Sequence, residues 1–469
     1  MGSNQNKLNL HPFNKIFNSK KIAVIGATQD PNKLGYRIVK NLLKQKKTVY
    51  PVNPNIDQVF NMKAYPSVKD VPDSISLAVI IVAPKYILNV VKDCGVKGVN
   101  HIVIIAEGFK ETGPEGAHLQ EELKKLLQEY NIRAIGPNTM GFHDTYSRFS
   151  TCFLDVSDLK PGKVSISSQT GALAGAFLKF INLTNNIGIN KVIDLGNMID
   201  LDHSDVLEFL MYDTKTEIIA MHMEGISDGQ KFSQALIRAA AKKPVIILKG
   251  GVMPETHRVV ASHTGSIAGD DKIFDGILKK AGAIRVENFE EFVDVIKGFS
   301  FMDPPKGNKF AIISGSGGIA VITIDTFLKS GLKLAKLSDH TLESLKKYIP
   351  EQGKIQNPID IWPAGVKFGL ATINAEVISI LNSDSNVDII VVLLFRIRDF
   401  QYDPTPIIEV AKKCKKPIFF GTIGHIVNEM RKEFERNGLP TYRYGKKIAK
   451  VLSYMWNYNR VRIKEKMGS

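Results

Sequence analysis

Hydrophobic and polar positions follow one another in a repeated order of apolar strand, amphipathic helix and apolar strand. Short apolar runs at 77–83 and 389–395 have the length of buried strands. The stretches 34–44 and 115–130 have the spacing of helices that cover a sheet. This order, with short connections, predicts parallel sheets with helices on both faces. The predicted fold class is therefore α/β, with three doubly wound parallel-sheet domains.

The boundaries between these domains are predicted at polar, turn-rich segments. The stretch 155–162, which contains Pro161 and Gly162, is typical of a linker, and 303–308 is a second break rich in proline and glycine. We find a repeated architecture but no repeated sequence. The predicted domains are 12–150, 160–302 and 306–465.

Composition limits the class of protein. Of 469 residues, 44% are hydrophobic and 23% charged, which is typical of a globular chain. No apolar run reaches the roughly 20 residues of a bilayer span, and the N-terminus lacks the apolar core of a signal peptide. The first three residues, Met-Gly-Ser, are typical of a cloning scar. The three cysteines are widely spaced and fit no metal or disulfide framework, which favours a reducing, cytoplasmic setting.

The net charge of +15 raises the alternative of a nucleic-acid-binding protein. The lysines are dispersed, however, and the short runs at 412–416 and 446–447 fall on predicted helix surfaces or helix ends. The chain has no zinc finger and no basic tail with interleaved aromatic residues. A basic surface with an anionic small ligand is the favoured interpretation.

The first predicted strand, 21–26, is followed by a loop from Ala27 to Lys33 and then by a helix, an arrangement typical of a phosphate site. The loop does not have the GxGxxG pattern of dinucleotide-binding proteins. The second strand also ends without the Asp or Glu that binds the ribose of NAD. An NAD-dependent enzyme is therefore disfavoured, while a tight turn that only packs the helix stays open.

Five motifs occur in order along the first domain and its end: VIGAT, LGY, YPVNP, IIAEGFKETG and IGPNTMG. This set resembles the coenzyme A-binding domain of the succinyl-CoA synthetase superfamily, and most closely its ADP-forming acetyl-CoA synthetase branch. The resemblance implies a Rossmann-like CoA-binding domain followed by two flavodoxin-like ligase domains. It implies CoA contacts from Gly26, Ala27, Thr28, Lys33, Asn53, Pro54, Val82, Pro84, Glu107 and Asn138. Lys33 could equally be an ordinary exposed lysine.

His263 stands in a segment of small residues, Ala261 to Gly269, whose backbone could approach a ligand closely. A lone histidine is more often a solvent-facing side chain. The resemblance instead implies that His263 is the residue that becomes phosphorylated. Imidazole suits this role because its ordinary pKa of about 6.5 leaves a neutral ring nitrogen as a nucleophile near pH 7.

Two further features of the second domain match the family. Glu224, at the end of a predicted strand, corresponds to the residue that orients the histidine, although a strand-end carboxylate in water is an alternative. The turn Ser168, Gln169, Thr170 and Gly171 corresponds to the cradle of the phosphohistidine. It precedes a predicted helix at 172–183, so plain N-capping is also possible. The acidic loop from Asp194 to Asp202 is not diagnostic of a metal site, and none is predicted.

The third domain has a glycine-rich turn at 314–318, where Ser314, Ser316 and Ile319 depart from the family pattern. A second phosphate-binding turn and a packing turn fit equally well. Asn357 to Asp360 also resembles a family loop. No stretch resembles an ATP-grasp domain. The resemblance therefore implies an ATP-grasp beta subunit that carries ADP or ATP with Mg²⁺, in an alpha2beta2 heterotetramer.

The predicted function is that of the alpha subunit of an ADP-forming acyl-CoA synthetase. It would convert acyl-CoA, ADP and phosphate reversibly to a carboxylic acid, ATP and CoA. The intermediates would be an acyl phosphate and phosphohistidine. The alternatives are a CoA-sensing protein of the same fold without catalysis and, third, an NAD-dependent oxidoreductase. The acyl group, the direction in the cell and the preference for ADP or GDP stay open.

Overall fold

The computed structural model describes residues 2–256, 270–349, 355–395, 403–423 and 427–467. The chain forms two compact units, residues 1–287 and 288–469. Unit 1 contains two large sheets and unit 2 contains one.

The first sheet of unit 1 has five parallel strands in the order β2-β1-β5-β6-β7, and a small hairpin, β3-β4, lies beside it in the chain. The strands are β1 Lys21–Ile25, β2 Thr48–Val52, β3 Gln58–Val59, β4 Met62–Lys63, β5 Leu77–Ile80, β6 His101–Ile104 and β7 Arg133–Ile135. The helices are α1 Gly2–Leu10, α2 Pro12–Phe17, α3 Leu34–Lys44, α4 Ile87–Lys97 and α5 Pro114–Glu129. In this strand order the ligand crevice lies at the carboxyl ends of β1 and β5.

Alternate side chains of each strand enter different hydrophobic layers. Ile22 and Val24 of β1 pack with Ile38 of α3. Ala23 of the same strand packs in the other layer with Val91 of α4. A strand buried on both faces reads as a continuous apolar run, which is why this sheet could be predicted from the sequence.

The second sheet of unit 1 has seven strands in the order β14-β13-β12-β10-β11-β8-β9. The strands are β8 Phe142–Asp144, β9 Phe149–Ser150, β10 Pro161–Ser168, β11 Ile189–Asp194, β12 Ile218–Met223, β13 Val245–Lys249 and β14 Ile284–Val286. Five are parallel, whereas β8 and β9 form an antiparallel edge. These two were not predicted because each has only two or three residues. The chain therefore enters the second sheet at β8, before the linker that was predicted at 155–162.

The helix predicted at 172–183 is not continuous. The helices of this region are α6 Gly171–Ala174, α7 Ala176–Lys179, α8 His203–Tyr212, α9 Gly229–Ala240 and α10 Asp271–Ala281. Gly175 leaves helical geometry, with φ −113° and ψ −90°, and a π-helical turn at Phe180–Thr184 follows α7. A side chain at Gly175 would press on Leu154 and Met140, so the break lets the backbone pack closely.

Unit 2 repeats the strand order of the first sheet. The strands are β15 Lys309–Ser314, β16 Lys333–Leu334, β17 Ile359–Asp360, β18 Ile389–Phe395, β19 Ile418–Ile423 and β20 Thr441–Arg443. The helices are α11 Phe289–Phe301, α12 Gly317–Lys329, α13 Asp339–Leu345, α14 Trp362–Phe368, α15 Leu370–Ser383, α16 Thr405–Lys413, α17 Val427–Arg436 and α18 Gly445–Met467. The order β16-β15-β18-β19-β20 is parallel, and β17 also pairs with β15. Helix α11, placed at the end of the second predicted domain, lies in unit 2.

Within the described ranges, no single helix is both long and apolar enough to cross a membrane. Among the described helices, one sharply bent pair, α14 and α15, has enough length and apolar character when its two members are taken together.

Candidate active site

The loop after β1 begins at Gly26, whose φ of +95° lies in the left-handed region. A side chain here would also overlap the carbonyl oxygen of Ile81, at the end of the neighbouring strand β5. Gly35, on α3, packs against the Gly26 carbonyl in the same way. The two glycines therefore bring the start of α3 close to the switch point of the sheet.

Local hydrogen bonds give the rest of this loop its shape. The Thr28 hydroxyl accepts from the Asp30 amide at 3.2 Å, and the Lys33 amide donates to the Asp30 carbonyl at 3.1 Å. Across the crevice, the Asn53 side-chain amide donates to the Ala27 carbonyl at 2.8 Å. Lys33 is exposed at the start of α3 and its side chain makes no capping bond. Asn53 thus holds the loop after β1 in place. The exposed Pro54 is the next residue after Asn53 in the chain.

The opposite wall of the crevice comes from the loops after β5, β6 and β7. Val82 and Pro84 follow β5, and the Pro84 ring lies against Gly108. Glu111 accepts from the Gly108 amide at 2.6 Å, which holds the turn that contains the exposed Glu107. The Asn138 amide donates to the Ala106 carbonyl at 2.8 Å.

The ten residues predicted to contact CoA therefore meet at one edge of the first sheet. Several of them touch one another or share a loop, as Ala27 and Asn53 do. Their contacts with CoA stay a prediction.

The turn after β10 is closed by the Ser168 hydroxyl. This hydroxyl accepts from the Thr170 amide at 3.0 Å and donates to the Thr170 carbonyl at 2.9 Å. Thr170 precedes the four-residue helix α6, and its side chain makes no capping hydrogen bond. Plain N-capping by Thr170 is therefore not what shapes this turn.

Gln169 locks this turn to the end of β12. Its side-chain oxygen accepts from the backbone amides of Glu224 at 2.5 Å and Gly225 at 3.1 Å. The His203 Nε2 lies 3.1 Å from the same oxygen, so it is the protonated nitrogen of a neutral ring. Burial lowers the pKa of His203 to about 3. The side-chain carbonyl of Gln169 therefore fixes Glu224, and a contact of Gln169 with phosphate stays a prediction.

Glu224 is 8% exposed and stands at the end of β12. The Lys249 ammonium, at the end of β13, donates to the Glu224 carbonyl at 2.8 Å and to the Gly250 carbonyl. A side chain on Gly250 would lie 3.5 Å from the Glu224 Cγ, so Glu224 flanks the point where the chain leaves β13. The chain runs on from there to His263, which lies outside the described residues.

Asp194, at the end of β11, is a functional candidate to which no chemistry could be assigned from the sequence alone. It is fully buried, and its Oδ2 accepts from the Met140 amide at 2.7 Å. The Thr139 hydroxyl and the Gly196 amide also lie beside this carboxyl and act to lower its pKa. Burial raises the pKa of Asp194 to about 7, and the nearby Glu224 carboxylate also raises it.

A cavity of about 270 Å³ joins the two groups of residues. Glu107 and Asn138 reach it from the CoA-side loops, whereas Gly171 and Asp194 reach it from the second sheet. Most of the remaining wall is apolar: Leu34, Ile81, Ile105, Ala106, Met140 and Phe153. A small apolar group bound here would contact both the predicted CoA loops and the predicted phosphate turn.

The other carboxylates of the acidic loop have structural roles. Asp200 binds the Arg133 Nε at 2.9 Å and the Ala134 amide at 2.8 Å, which ties the loop to β7. Asp202 accepts from the Ser204 amide at 2.8 Å and caps α8. In the parts of the chain that are described, no group of three or more His, Cys, Asp or Glu residues could hold a metal ion.

The glycine-rich turn of unit 2 has the same closure as the Ser168 turn. The Ser314 hydroxyl accepts from the Ser316 amide at 3.1 Å and donates to the Ser316 carbonyl at 2.9 Å. Asn357 donates to the carbonyls of Phe310 at 2.8 Å and Ala335 at 3.0 Å. These bonds build the turn region, and a ligand role for it stays a prediction.

Comparisons with known proteins fit this arrangement. Residues 20–145 match a CoA-binding domain model, and residues 161–299 match a succinyl-CoA ligase like flavodoxin domain. The alpha subunit of acetate–CoA ligase (ADP-forming) II from Pyrococcus furiosus is 38% identical over 92% of this chain and 95% of that protein. The chain belongs to the ADP-forming acetate–CoA ligase family.

Members of the family differ in length and in the acid they are named for. The ADP-forming 4-hydroxybutyrate–CoA ligase of Nitrosopumilus maritimus is 34% identical over 95% of this chain, but the match covers 64% of that longer protein. A solved acetyl-coenzyme A synthetase 1 from Ca. Korarchaeum cryptofilum, in complex with phosphate and ADP, has a TM-score of 0.88. It is 32% identical over 97% of this chain and 98% of that chain.

Family membership confirms the α/β fold class, the CoA-binding domain and the predicted enzyme class, an ADP-forming acid–thiol ligase. It supports this interpretation over the CoA-sensing and NAD-dependent alternatives. The individual site residues are not tested by these likenesses.

Proposed function

We propose that this chain catalyses the acyl and phosphoryl transfer steps of an ADP-forming acyl-CoA synthetase as its alpha subunit. The observation that carries the proposal is a pair of hydrogen bonds, which we call the Gln169 lock. In it the Gln169 side-chain oxygen of the Ser168 to Gly171 turn accepts from the backbone amides of Glu224 and Gly225. This lock holds the predicted phosphate cradle beside the predicted partner of His263. The 270 Å³ cavity leads from the same turn to the CoA-side loops.

In the first step, an oxygen of inorganic phosphate attacks the thioester carbonyl of acyl-CoA. The new carbon–oxygen bond gives an acyl phosphate, the carbon–sulfur bond breaks, and the thiolate leaves as CoA and takes up a proton. Placing the CoA sulfur and the phosphate at the two ends of one cavity would convert an encounter of separate molecules into a reaction within one site.

In the second step, a neutral ring nitrogen of His263 attacks phosphorus, and the carboxylate is released. Glu224 accepts a hydrogen bond from the other ring nitrogen, which fixes the tautomer and stabilises the charge that develops on the ring. The Thr170 hydroxyl and the Gly171 amide receive the phosphoryl oxygens. Ser168 shapes the cradle, because its hydroxyl already closes the turn.

The third step transfers the phosphoryl group to ADP. We assign this step to an ATP-grasp beta subunit that binds the nucleotide with Mg²⁺, in an alpha2beta2 heterotetramer located in the cytoplasm. The relative that is named an alpha subunit and the longer relatives of the family both support a partner polypeptide.

The experiment is phosphoenzyme formation with labelled ATP and the beta subunit. Wild-type protein should acquire an acid-labile, base-stable label, and His263→Asn should acquire none and lose turnover. Glu224→Gln should slow both labelling and turnover by about 10²- to 10⁴-fold, the usual range for a group that assists proton transfer or orientation.

A matched control is His118→Asn, since His118 is an exposed histidine on α5 whose side chain is 79% accessible. This variant should label and turn over like the wild type. Full turnover by His263→Asn would overturn the proposal. Failure of the wild-type complex to label at all would favour a CoA-sensing protein instead.

A further inference from the structure

The 270 Å³ cavity holds the acyl group if the proposed function is correct, so its role in acid selection rests on that function. The acyl carbonyl carbon is bonded to the CoA sulfur before the first step and to a phosphate oxygen after it. The cavity reaches both partners, because Glu107 and Asn138 of the CoA-side loops and Gly171 of the phosphate turn all line it. The side chains that bound this cavity therefore bound the acyl group.

Met140 borders the cavity beside helix α6. It is one of the lining residues and is partly exposed. A Cβ added at Gly171 would lie 2.9 Å from the Met140 Cγ and 3.0 Å from its Sδ, and a Cβ added at Gly175 would lie 3.0 Å from its Cε. The outer atoms of the Met140 side chain therefore run along α6, from its first residue to the glycine that follows it. Since Gly171 also lines the cavity, these atoms occupy space at the cavity edge.

The backbone of Met140 is held independently of its side chain. Its amide donates to the Asp194 Oδ2 at 2.7 Å, and the amide of the next residue, Gly141, donates to the Thr139 hydroxyl at 2.9 Å. A substitution at position 140 leaves both backbone amides in place. Its main effect is then on volume, because a smaller side chain enlarges the cavity and a larger one fills it.

Other parts of the apolar wall are less adaptable than Met140. Ile81 and Ile105 continue the first sheet, since their amides donate to carbonyls of neighbouring strands at 2.8 and 3.0 Å. Phe153 packs against the hydrophobic core of unit 1. Methionine, by contrast, is unbranched and has three rotatable side-chain bonds, so it adapts to the space that its neighbours leave. Met140 is therefore the position at which the size of the cavity can change with the least effect on the sheet.

We propose that Met140 is a specificity-determining residue that limits the length of the acyl group. The apolar wall contacts the hydrocarbon part of a short acid, and the Met140 side chain excludes the further carbons of a longer one. In an apolar pocket, one methylene changes kcat/KM by about 10- to 200-fold. Alanine at this position removes the Cγ, Sδ and Cε atoms, and the cavity left behind should admit an acid about two carbons longer.

The test measures kcat/KM of the complex with the beta subunit for straight-chain acids from acetate to octanoate. The wild type should lose at least tenfold between two neighbouring acids of the series. Met140→Ala should move this loss to an acid about two carbons longer. Met140→Phe should lower kcat/KM at least tenfold for the longest acid that the wild type accepts.

The matched control is Met302→Ala. Met302 is a partly buried methionine that packs against the core of unit 2 and does not line the cavity. Its loss removes the same atoms from the protein, so it reports any general effect of a missing methionine. The acid profile of this variant should match that of the wild type.

A wild-type series without such a loss would overturn the inference, and so would a loss that stays at the same acid in Met140→Ala. An equal decrease for every acid in Met140→Ala would also overturn it, because Met140 would then act on folding or on the common chemistry. Phosphoenzyme formation with ATP needs no acid and is the separate control. Absence of the label from the wild type contradicts the proposed function, whereas normal labelling with an unchanged acid profile contradicts only this inference.

Discussion

Gly35 is a residue at which one added carbon atom should change both stability and ligand binding. Its Cβ would overlap the carbonyl oxygen of Gly26, a backbone atom that cannot move without displacing the loop after β1. Gly35→Ala should therefore destabilise the protein by about 1–3 kcal/mol, the usual cost of overpacking. It should also weaken CoA binding measured by calorimetry, because Gly26, Ala27 and Thr28 would shift.

The matched control is Gly276→Ala on α10. A Cβ there meets nothing within 4 Å, and the position is exposed. Alanine in a helix is favoured over glycine by roughly 0.5–1 kcal/mol, so this variant should be slightly more stable and bind CoA normally. If both substitutions changed stability alike, the close approach of α3 to Gly26 would not be the cause.

At the scale of single residues, the sequence predicts where several site residues lie, but it does not predict which distant residues they contact. The strand-end positions of Gly26, Glu224 and the Ser168 turn follow from buried apolar runs, whereas their roles are what the family resemblance implies. The roles of Gln169 and Asp194 could not, because they depend on Glu224 and Met140, which lie 55 and 54 residues away in the chain. A hydrogen bond between distant residues leaves no local pattern.

At the level of secondary structure elements, long buried strands were predictable and short or irregular elements were not. The apolar runs predicted as strands at 77–83 and 389–395 contain β5 and β18. The two- and three-residue strands β8 and β9 were missed because so few side chains show no period. The break at Gly175 was missed because apolar positions continue through it, while close packing against Met140 and Leu154 bends the backbone.

Helices α11 and α17 of unit 2 are joined by a buried ion pair. The Lys297 ammonium lies 2.8 Å from Glu435, and the two residues are 2% and 0% exposed. Lys297 also donates to the Thr441 carbonyl at 2.8 Å. Burial raises the pKa of Glu435 and lowers that of Lys297, so each charge depends on the other.

Lys297→Met should therefore lower the free energy of unfolding by about 3–5 kcal/mol, since it removes one partner of a buried ion pair. Replacing both partners, as in Lys297→Met with Glu435→Leu, should recover most of that loss because apolar side chains then fill the space of the pair. Denaturant unfolding followed by tryptophan fluorescence measures both variants. A double variant as unstable as the single one would show that packing, rather than charge, dominates here.

At the scale of the whole molecule, the three large sheets share one strand order around their first parallel strand, although their sequences do not repeat. In each, the first parallel strand lies between the next strand in the chain and a later one, as in β2-β1-β5 and β16-β15-β18. The same order in β11-β10-β12 places the Ser168 turn beside Glu224. Ligand chemistry is therefore expected at these switch points, and the dispersed basic charge of +15 need not indicate nucleic acid.

The two units can be followed separately because both tryptophans, Trp362 and Trp456, belong to unit 2. All ten residues predicted to contact CoA belong to unit 1. A ligand that binds only the folded protein stabilises it by about 2.7 kcal/mol at 100 times its Kd. CoA should therefore shift thermal unfolding monitored by far-ultraviolet circular dichroism and leave the tryptophan transition in place, while NAD should shift neither. If CoA shifted only the transition seen by tryptophan fluorescence, the CoA site would lie in unit 2 and the prediction would be wrong. If NAD shifted unfolding and CoA did not, the prediction that the Gly26 loop binds CoA rather than NAD would be wrong.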